Sequence, residues 1–161
     1  MKIALLSSYT SDLLPKETDK YLKESGIGPK WHVAPFNQYI QEILAPDSSV
    51  KKFMPDIIIL ALDFNEFIAN SDKLSQILST ASTQFASSTI IVHNCAMLQP
   101  EPMHLLEWNN ENSKRLLTSK INCKLGEMAQ AIPNLYVLDL EYLVLKFGSE
   151  RLFDPRFYYS A

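Results

Sequence analysis

The stretch Pro55-Asp56-Ile57-Ile58-Ile59-Leu60-Ala61-Leu62-Asp63-Phe64-Asn65-Glu66-Phe67 restricts what this chain can fold into more than any other. Six apolar residues in a row, Ile57 to Leu62, cannot alternate between core and solvent. Such a run predicts a strand buried on both faces in the middle of a parallel sheet, with Ile58 and Leu60 fully buried. Pro55 has no N–H to donate and suits the strand's first position. The apolar run stops at Asp63-Phe64-Asn65-Glu66, which places polar groups at the strand's carboxyl end. In open α/β sheets the ligand crevice lies outside those ends, so the search for a functional site starts there.

The rest of the chain alternates strand and helix. Lys2 to Leu6 reads as a first apolar strand ending in Ser7-Ser8-Tyr9-Thr10-Ser11. A helix is predicted from Leu13 to Ser25, with Leu14, Thr18, Tyr21 and Leu22 on one face and Gly26 as its stop. A short strand at Lys30–Ala34 closes at Pro35. Phe36 to Leu44 reads as a short helix with Tyr39, Ile40, Ile43 and Leu44 inward, followed by a turn through Phe53 capped by Asp47 or Ser48. Leu74, Ile77, Leu78, Ala81 and Phe85 repeat at helical spacing before a fourth strand, Thr89 to His93. Leu117, Ile121, Leu125 and Met128 stand in register along the longest helix, Asn112 to Ala131. The fifth strand is Leu135 to Leu138. A last short helix carries Leu140, Leu143, Val144 and Phe147 and stops at Gly148. Strand and helix in this order predict a doubly wound three-layer α/β sandwich, flavodoxin-like, with a five-stranded parallel sheet.

Composition narrows the function classes. At 161 residues and 47% hydrophobic, the chain can bury one substantial core. A net charge of -3 gives no electrostatic case for nucleic acid or an anionic membrane as partner. Only four glycines occur, none of them in the first strand-to-helix turn, so a dinucleotide or P-loop site is not expected and no cofactor is assigned. Cys95 and Cys123 have neither metal-ligand nor redox spacing and are expected as buried thiols of a reducing compartment. The opening Met1 to Leu6 is too short in its apolar part for a signal peptide, and no run is long enough to cross a membrane, which points to the cytoplasm.

The segment from Pro55 to Glu66 resembles the third block of SGNH hydrolases, a buried strand followed by a Gly-x-Asn-Asp pattern. The order of turns along the chain is similar to that family as well. More closely, the chain resembles the N-terminal domain of FkbH-like proteins through Leu5-Leu6-Ser7-Ser8-Tyr9-Thr10, Ala34-Pro35-Phe36-Asn37-Gln38-Tyr39, Pro46-Asp47-Ser48, Val137-Leu138-Asp139-Leu140 and Phe153-Asp154-Pro155-Arg156-Phe157. The resemblance implies that residues 1–161 form one SGNH-like domain. It also implies that this domain is the N-terminal part of a longer protein with a haloacid-dehalogenase-type domain that forms glyceryl thioesters on acyl carrier proteins. The expected partners are therefore that second domain and an acyl carrier protein. The dehalogenase-type signature Asp-x-Asp-x-(Thr, Val or Cys) after an apolar strand is absent from this chain.

SGNH hydrolysis needs a serine nucleophile, a histidine three residues after an aspartate, and a glycine N–H with an asparagine amide for the oxyanion. The resemblance puts Ser7 or Ser8 at the nucleophile position, Asn65 at the oxyanion asparagine and Asp154 at the aspartate. Phe157 stands where the histidine belongs, and the second-block glycine is replaced within Phe36-Asn37-Gln38. A phenyl ring accepts no proton, so the expectation is a non-catalytic or vestigial domain that positions a partner. Two other readings stay open: a serine esterase with a relocated base, for which His93 is the candidate, and a flavodoxin-type small-ligand module. Each residue also has a plainer role available. Ser7, Ser8 and Thr10 suit turns and caps, Asn65 could bridge loops, and His32 and His93 could be hydrogen-bonded structural histidines. His104 is the third histidine. Asp63 and Glu66 follow the central strand and Asp139 the fifth, without a local ligand-spacing signal, and no metal is assigned to them.

Overall fold

The computed structural model describes residues 1–98 and 104–152. Its elements follow the order β1 (Lys2–Ser7), α1 (Leu13–Glu24), β2 (Lys30–Val33), α2 (Tyr39–Leu44), α3 (Ser49–Phe53), β3 (Ile57–Ala61), α4 (Phe64–Ala69), α5 (Leu74–Gln84), β4 (Thr89–His93), a 3-10 turn (His104–Asn109), α6 (Lys114–Ala131), β5 (Leu135–Leu138), α7 (Leu140–Phe147) and α8 (Ser149–Leu152). All strand pairs are parallel, and the spatial order is β2-β1-β3-β4-β5. The strand with the longest apolar run therefore sits at the centre.

The register sorts the sheet's side chains into two faces. Ala4, Leu6, Ile58, Leu60, Ile90, Val92 and Leu135 share one. That face joins Tyr39 and Ile43 of α2, Phe67 of α4, Leu74, Leu78 and Ala81 of α5, and Ile121 and Leu125 of α6 in one buried cluster. Ile58 and Leu60 are each only 1% exposed. The face is sealed because every crossover after β2 lands on it.

Among the described residues the opposite face is covered unevenly. The Asp19 carboxylate of α1 accepts from the Trp31 indole N–H at 2.7 Å, and Trp31 shares a face with Ile3. So α1 lies over the β1–β2 side, opposite α2, α4, α5 and α6, and the sheet is wound on both sides. Along one row of that face Leu5 is buried, Ile59 and Ile91 are half-buried, and Tyr136 is 57% exposed. The expectation that Ile57 to Leu62 is buried on both faces needs this correction: Ile57 and Ile59 keep contact with solvent because helix cover thins out toward β5. No residue of α7 is buried, although Leu140, Leu143 and Val144 recur at helical spacing.

Other departures have local causes. In α1 the buried residue is Pro15, while Tyr21 points outward and Leu14 is exposed; the helix leans on the sheet through its other side. In α2, Glu42 is buried and Leu44 exposed. The Glu42 carboxylate turns inward because it accepts from Ser49 Oγ and the Val50 N–H, satisfying the start of α3. Of the two caps considered there, Ser48 takes the role, accepting from the Lys51 N–H. Cys95 is buried as expected. Cys123 is exposed, because it stands two residues past Ile121 on the outer side of α6.

Candidate functional site at the carboxyl ends of β1, β3 and β4

Three strands deliver their last residues to one place. Ser8 follows β1, and its N–H donates to the Ala61 carbonyl, extending the β1–β3 ladder by one bond. Its hydroxyl accepts from the Asp63 N–H at 2.8 Å and donates to Asp63 Oδ2 at 3.3 Å. Both partners of the Ser8 hydroxyl therefore belong to one residue, and Ser8 is 4% exposed. Ser7 is equally enclosed. Its hydroxyl donates to the Tyr9 carbonyl and shares a 2.8 Å bond with Ser11 Oγ, closing the turn on itself.

Asp63 has a second task. It is the N-cap of α4, where Oδ1 accepts from the Glu66 N–H at 3.0 Å. In sequence, Asp63 to Glu66 reads as a polar strand end, and this helix escapes that reading. The pairing of Asp63 with an acid three residues later is the signature of a capping box and could have revealed it. Asn65 lies on the exposed outer side of the first turn of α4, two residues beyond the Asp63 that binds Ser8. Glu66 turns inward. Its carboxylate accepts from the buried Tyr39 hydroxyl at 2.9 Å and from the Asn70 amide at 3.0 Å, fastening α4 to α2. Burial, then the bond to Glu66 and nearby negative charge, push the Tyr39 phenol well above its ordinary value, so it stays a donor.

The second turn also contributes to the ends of β1 and β3. Asn37 adopts φ +54°, a left-handed conformation that glycine takes freely and asparagine tolerates. Within the segment that replaces the second-block glycine, Asn37 is thus the residue with a glycine-like backbone. Its N–H donates to the Ser7 carbonyl at 3.1 Å. A donor already used within the turn is not directed at a reacting oxygen.

His93 closes the site on the β4 side. Nε2 accepts from the Leu62 N–H at 3.2 Å, and Nδ1 donates to the Asn94 carbonyl at 2.9 Å. That arrangement requires the neutral ring with its proton on Nδ1. The ring meets Phe67 edge-on. Burial drives the His93 pKa below the ordinary value, against the smaller opposing pull of the bond from Nδ1 to the Asn94 carbonyl. A depressed histidine pKa means the unfolded chain binds the extra proton, so the folding stability from neutral His93 is present above about pH 6.5 and is lost as pH falls through the folded value. His93→Gln should flatten the acid side of the stability profile in urea melts between pH 7 and 5. An unchanged profile would show that His93 does not govern that limb.

Further along, Asn94 donates to Asp139 Oδ1 and accepts from the Leu140 N–H, while Asp139 caps α7 by accepting from Tyr142. Those bonds, the Tyr142 N–H first, hold the Asp139 carboxyl below the usual carboxylate range. Asp63, Glu66 and Asp139 are thus committed as caps and clamps, and among the described residues no group of three potential ligands converges on a metal position. Asp154 and Phe157 lie outside the described residues. Next to Asp63 and His93 opens a cavity of about 450 Å³ that reaches toward α6 and α7.

A turn of serines after β1, an asparagine turn after β3 and a glycine-like second turn meet at one end of a 2-1-3-4-5 sheet. Residues 2–161 match the family described as FkbH, N-terminal domain. The chain belongs to that family. Among solved structures, this FkbH N-terminal domain is similar to the N-terminal part of the protein BF1531 from Bacteroides fragilis, described as containing a phosphatase domain complexed with Mg. There the TM-score is 0.85 at 20% identity, over 100% of this chain and 46% of that one. The chain therefore spans less than half the length of that relative. It is also similar to a GDSL-like protein from Parabacteroides merdae, with TM-score 0.62 and 10% identity over 93% of this chain and 84% of that one. A family 3 carbohydrate esterase of Clostridium thermocellum gives 0.61 and 15% over 88% and 79%. At these identities the likeness is one of fold, and the fold is SGNH/GDSL-like. No curated protein matches the chain. Among the described residues no helix is long and apolar enough to cross a membrane.

Proposed function

We propose that this FkbH N-terminal domain is non-hydrolytic and serves to position a partner, the phosphatase-type domain of a longer polypeptide. The observation that carries the reading is the Ser8 hydroxyl, which both accepts from and donates to Asp63 while His93 spends both ring nitrogens on backbone groups. A serine becomes a nucleophile when a base takes its proton, and here the proton faces a carboxylate that is already capping a helix. The phosphatase domain described for the Bacteroides fragilis relative supports the choice of partner. Among the described residues that second sheet face is only partly covered, which supports it too, since parallel sheets are ordinarily covered on both sides. Tyr136 and Leu138 are the exposed apolar residues on that face of β5. The resemblance to FkbH-like proteins extends the proposal to carrier-protein-linked biosynthesis, with the glyceryl chemistry residing in the partner domain.

Incubation of the purified chain with short-chain nitrophenyl esters tests the catalytic half. Rates at assay background are expected, whereas turnover that disappears in Ser8→Ala would overturn the reading. In the longer protein, Tyr136→Glu combined with Leu138→Glu should remove hydrogen-exchange protection from the partner-facing side of β5. Equal protection in wild type and double variant would place the partner elsewhere.

A further inference from the structure

Helix α7 is apolar on two opposite sides. Only Glu141 and Lys146 of its eight residues carry a charge, and the others are aliphatic or aromatic. At about 3.6 residues per turn, Leu140, Leu143 and Val144 fall on one side, and Tyr142 and Leu145 about 180° away from them. Glu141 and Lys146 occupy the two seams between. A helix that meets water on one side has a polar face there, whereas a helix apolar all round lies between packed layers. The first layer is this domain, because Leu140, Leu143 and Val144 line the cavity beside His93. No second layer is present among the described residues: Tyr142 is more than half exposed and Leu145 is 85% exposed.

Eight residues are too few for a helix to hold its shape in water through backbone bonds alone, so α7 depends on the packing of its faces. The exposed pair does not stand alone. Only Asp139 separates α7 from β5, which presents Tyr136 and Leu138, each roughly half exposed.

The occupant follows from the course of the chain. Helix α8 packs against α7, so the polypeptide leaves the described residues at Leu152, beside α7. Beyond the span matched by this chain, the Bacteroides fragilis relative has more than half its length. A domain joined here by a short tether meets α7 at an effective concentration in the millimolar range, at which a modest apolar patch is enough. A second copy of the chain has no such advantage.

We infer that α7 is the docking helix of this domain, and that the phosphatase-type domain lays an apolar surface over Tyr142 and Leu145, with Glu141 and Lys146 at the rim. The inference rests on the proposed positioning role and adds to it where the partner sits and which side chains it covers.

Amide hydrogen exchange decides, measured over α7 in the full polypeptide and in this chain alone. In the full polypeptide α7 should exchange about tenfold more slowly than in this chain. Leu145→Glu should remove that difference and Leu145→Met should keep it. Leu105→Glu, at the 91% exposed position of the 3-10 turn, should leave it unchanged. Leu145→Glu should also leave the urea midpoint of this chain at the wild-type value. A lower midpoint would mean that Leu145 already packs within the domain, and would overturn the inference. Slower exchange in the full polypeptide at another surface, with α7 unaltered, would overturn it and leave the positioning role standing. No slowing at any segment would overturn the positioning role itself, and this inference with it. Protection of α7 in this chain alone that grows with concentration would put a second copy on the helix, and would overturn the choice of partner.

Discussion

Leu60→Ala should lower the unfolding free energy by about 2–5 kcal/mol, the range for deleting a buried leucine side chain in a core that cannot collapse around the gap. Leu60 is 1% exposed on the central strand, in register with Leu6 on one side and Val92 on the other. Helices from three separate crossovers, α2, α5 and α6, add residues to the same cluster. Rigid strands on both flanks and several helices above leave little freedom to relax, which favours the upper part of the range. Ile59→Ala removes a side chain from the thinner face, where Ile59 is half-buried, and should cost clearly less. Urea melts of the two variants give the comparison directly. A Leu60→Ala loss below about half a kcal/mol would be the size seen at surface positions, and would contradict the placement of that side chain in the core. Equal losses at Leu60 and Ile59 would mean that the second face is covered as fully as the first.

This asymmetry also shows how far the sequence alone can be read. Runs of Ile and Leu report that a strand lies inside a sheet, so the five strands, their parallel order and the helices with strong apolar spacing are legible. What covers each face is not. Ile57 and Ile59 look the same in sequence as Ile58 and Leu60, and their exposure depends on where α1 and α7 settle. The candidate site is legible by position and not by bonding. Ser8, Asn65 and His93 all fall at the carboxyl end of the sheet, as turn order implies. Asp63, which holds Ser8 and caps α4, is only half legible because its two contacts come from opposite directions: a local one to Glu66, visible as a capping box, and one to Ser8 across 55 positions that only the fold creates. Asn37 is similar. Its departure from glycine is visible, but its left-handed backbone is not.

The sharpest consequence of that bonding is at Ser8. Ser8→Ala should behave as a stability variant and not as a catalytic one. Removing the hydroxyl leaves the Asp63 N–H without its acceptor in a nearly closed turn. An orphaned buried donor costs about 1–3 kcal/mol. Ser8→Thr keeps the oxygen and should recover part of that loss, provided the added methyl fits. On the chemical side, a positioned base typically contributes about 10²–10⁴-fold to proton removal from a nucleophile. An oxyanion donor contributes roughly 10²–10³-fold more. Here His93 has both nitrogens bonded to the main chain, and the Asn37 N–H is turned to the Ser7 carbonyl. With both contributions missing, wild type and Ser8→Ala should give the same background rate on nitrophenyl esters while differing in their urea midpoints. The opposite pattern, equal midpoints with turnover lost only in Ser8→Ala, would mean that the hydroxyl is free to react and that its bonds to Asp63 do not hold the turn. Such a result would make this domain a serine hydrolase with its base in an unaccustomed place.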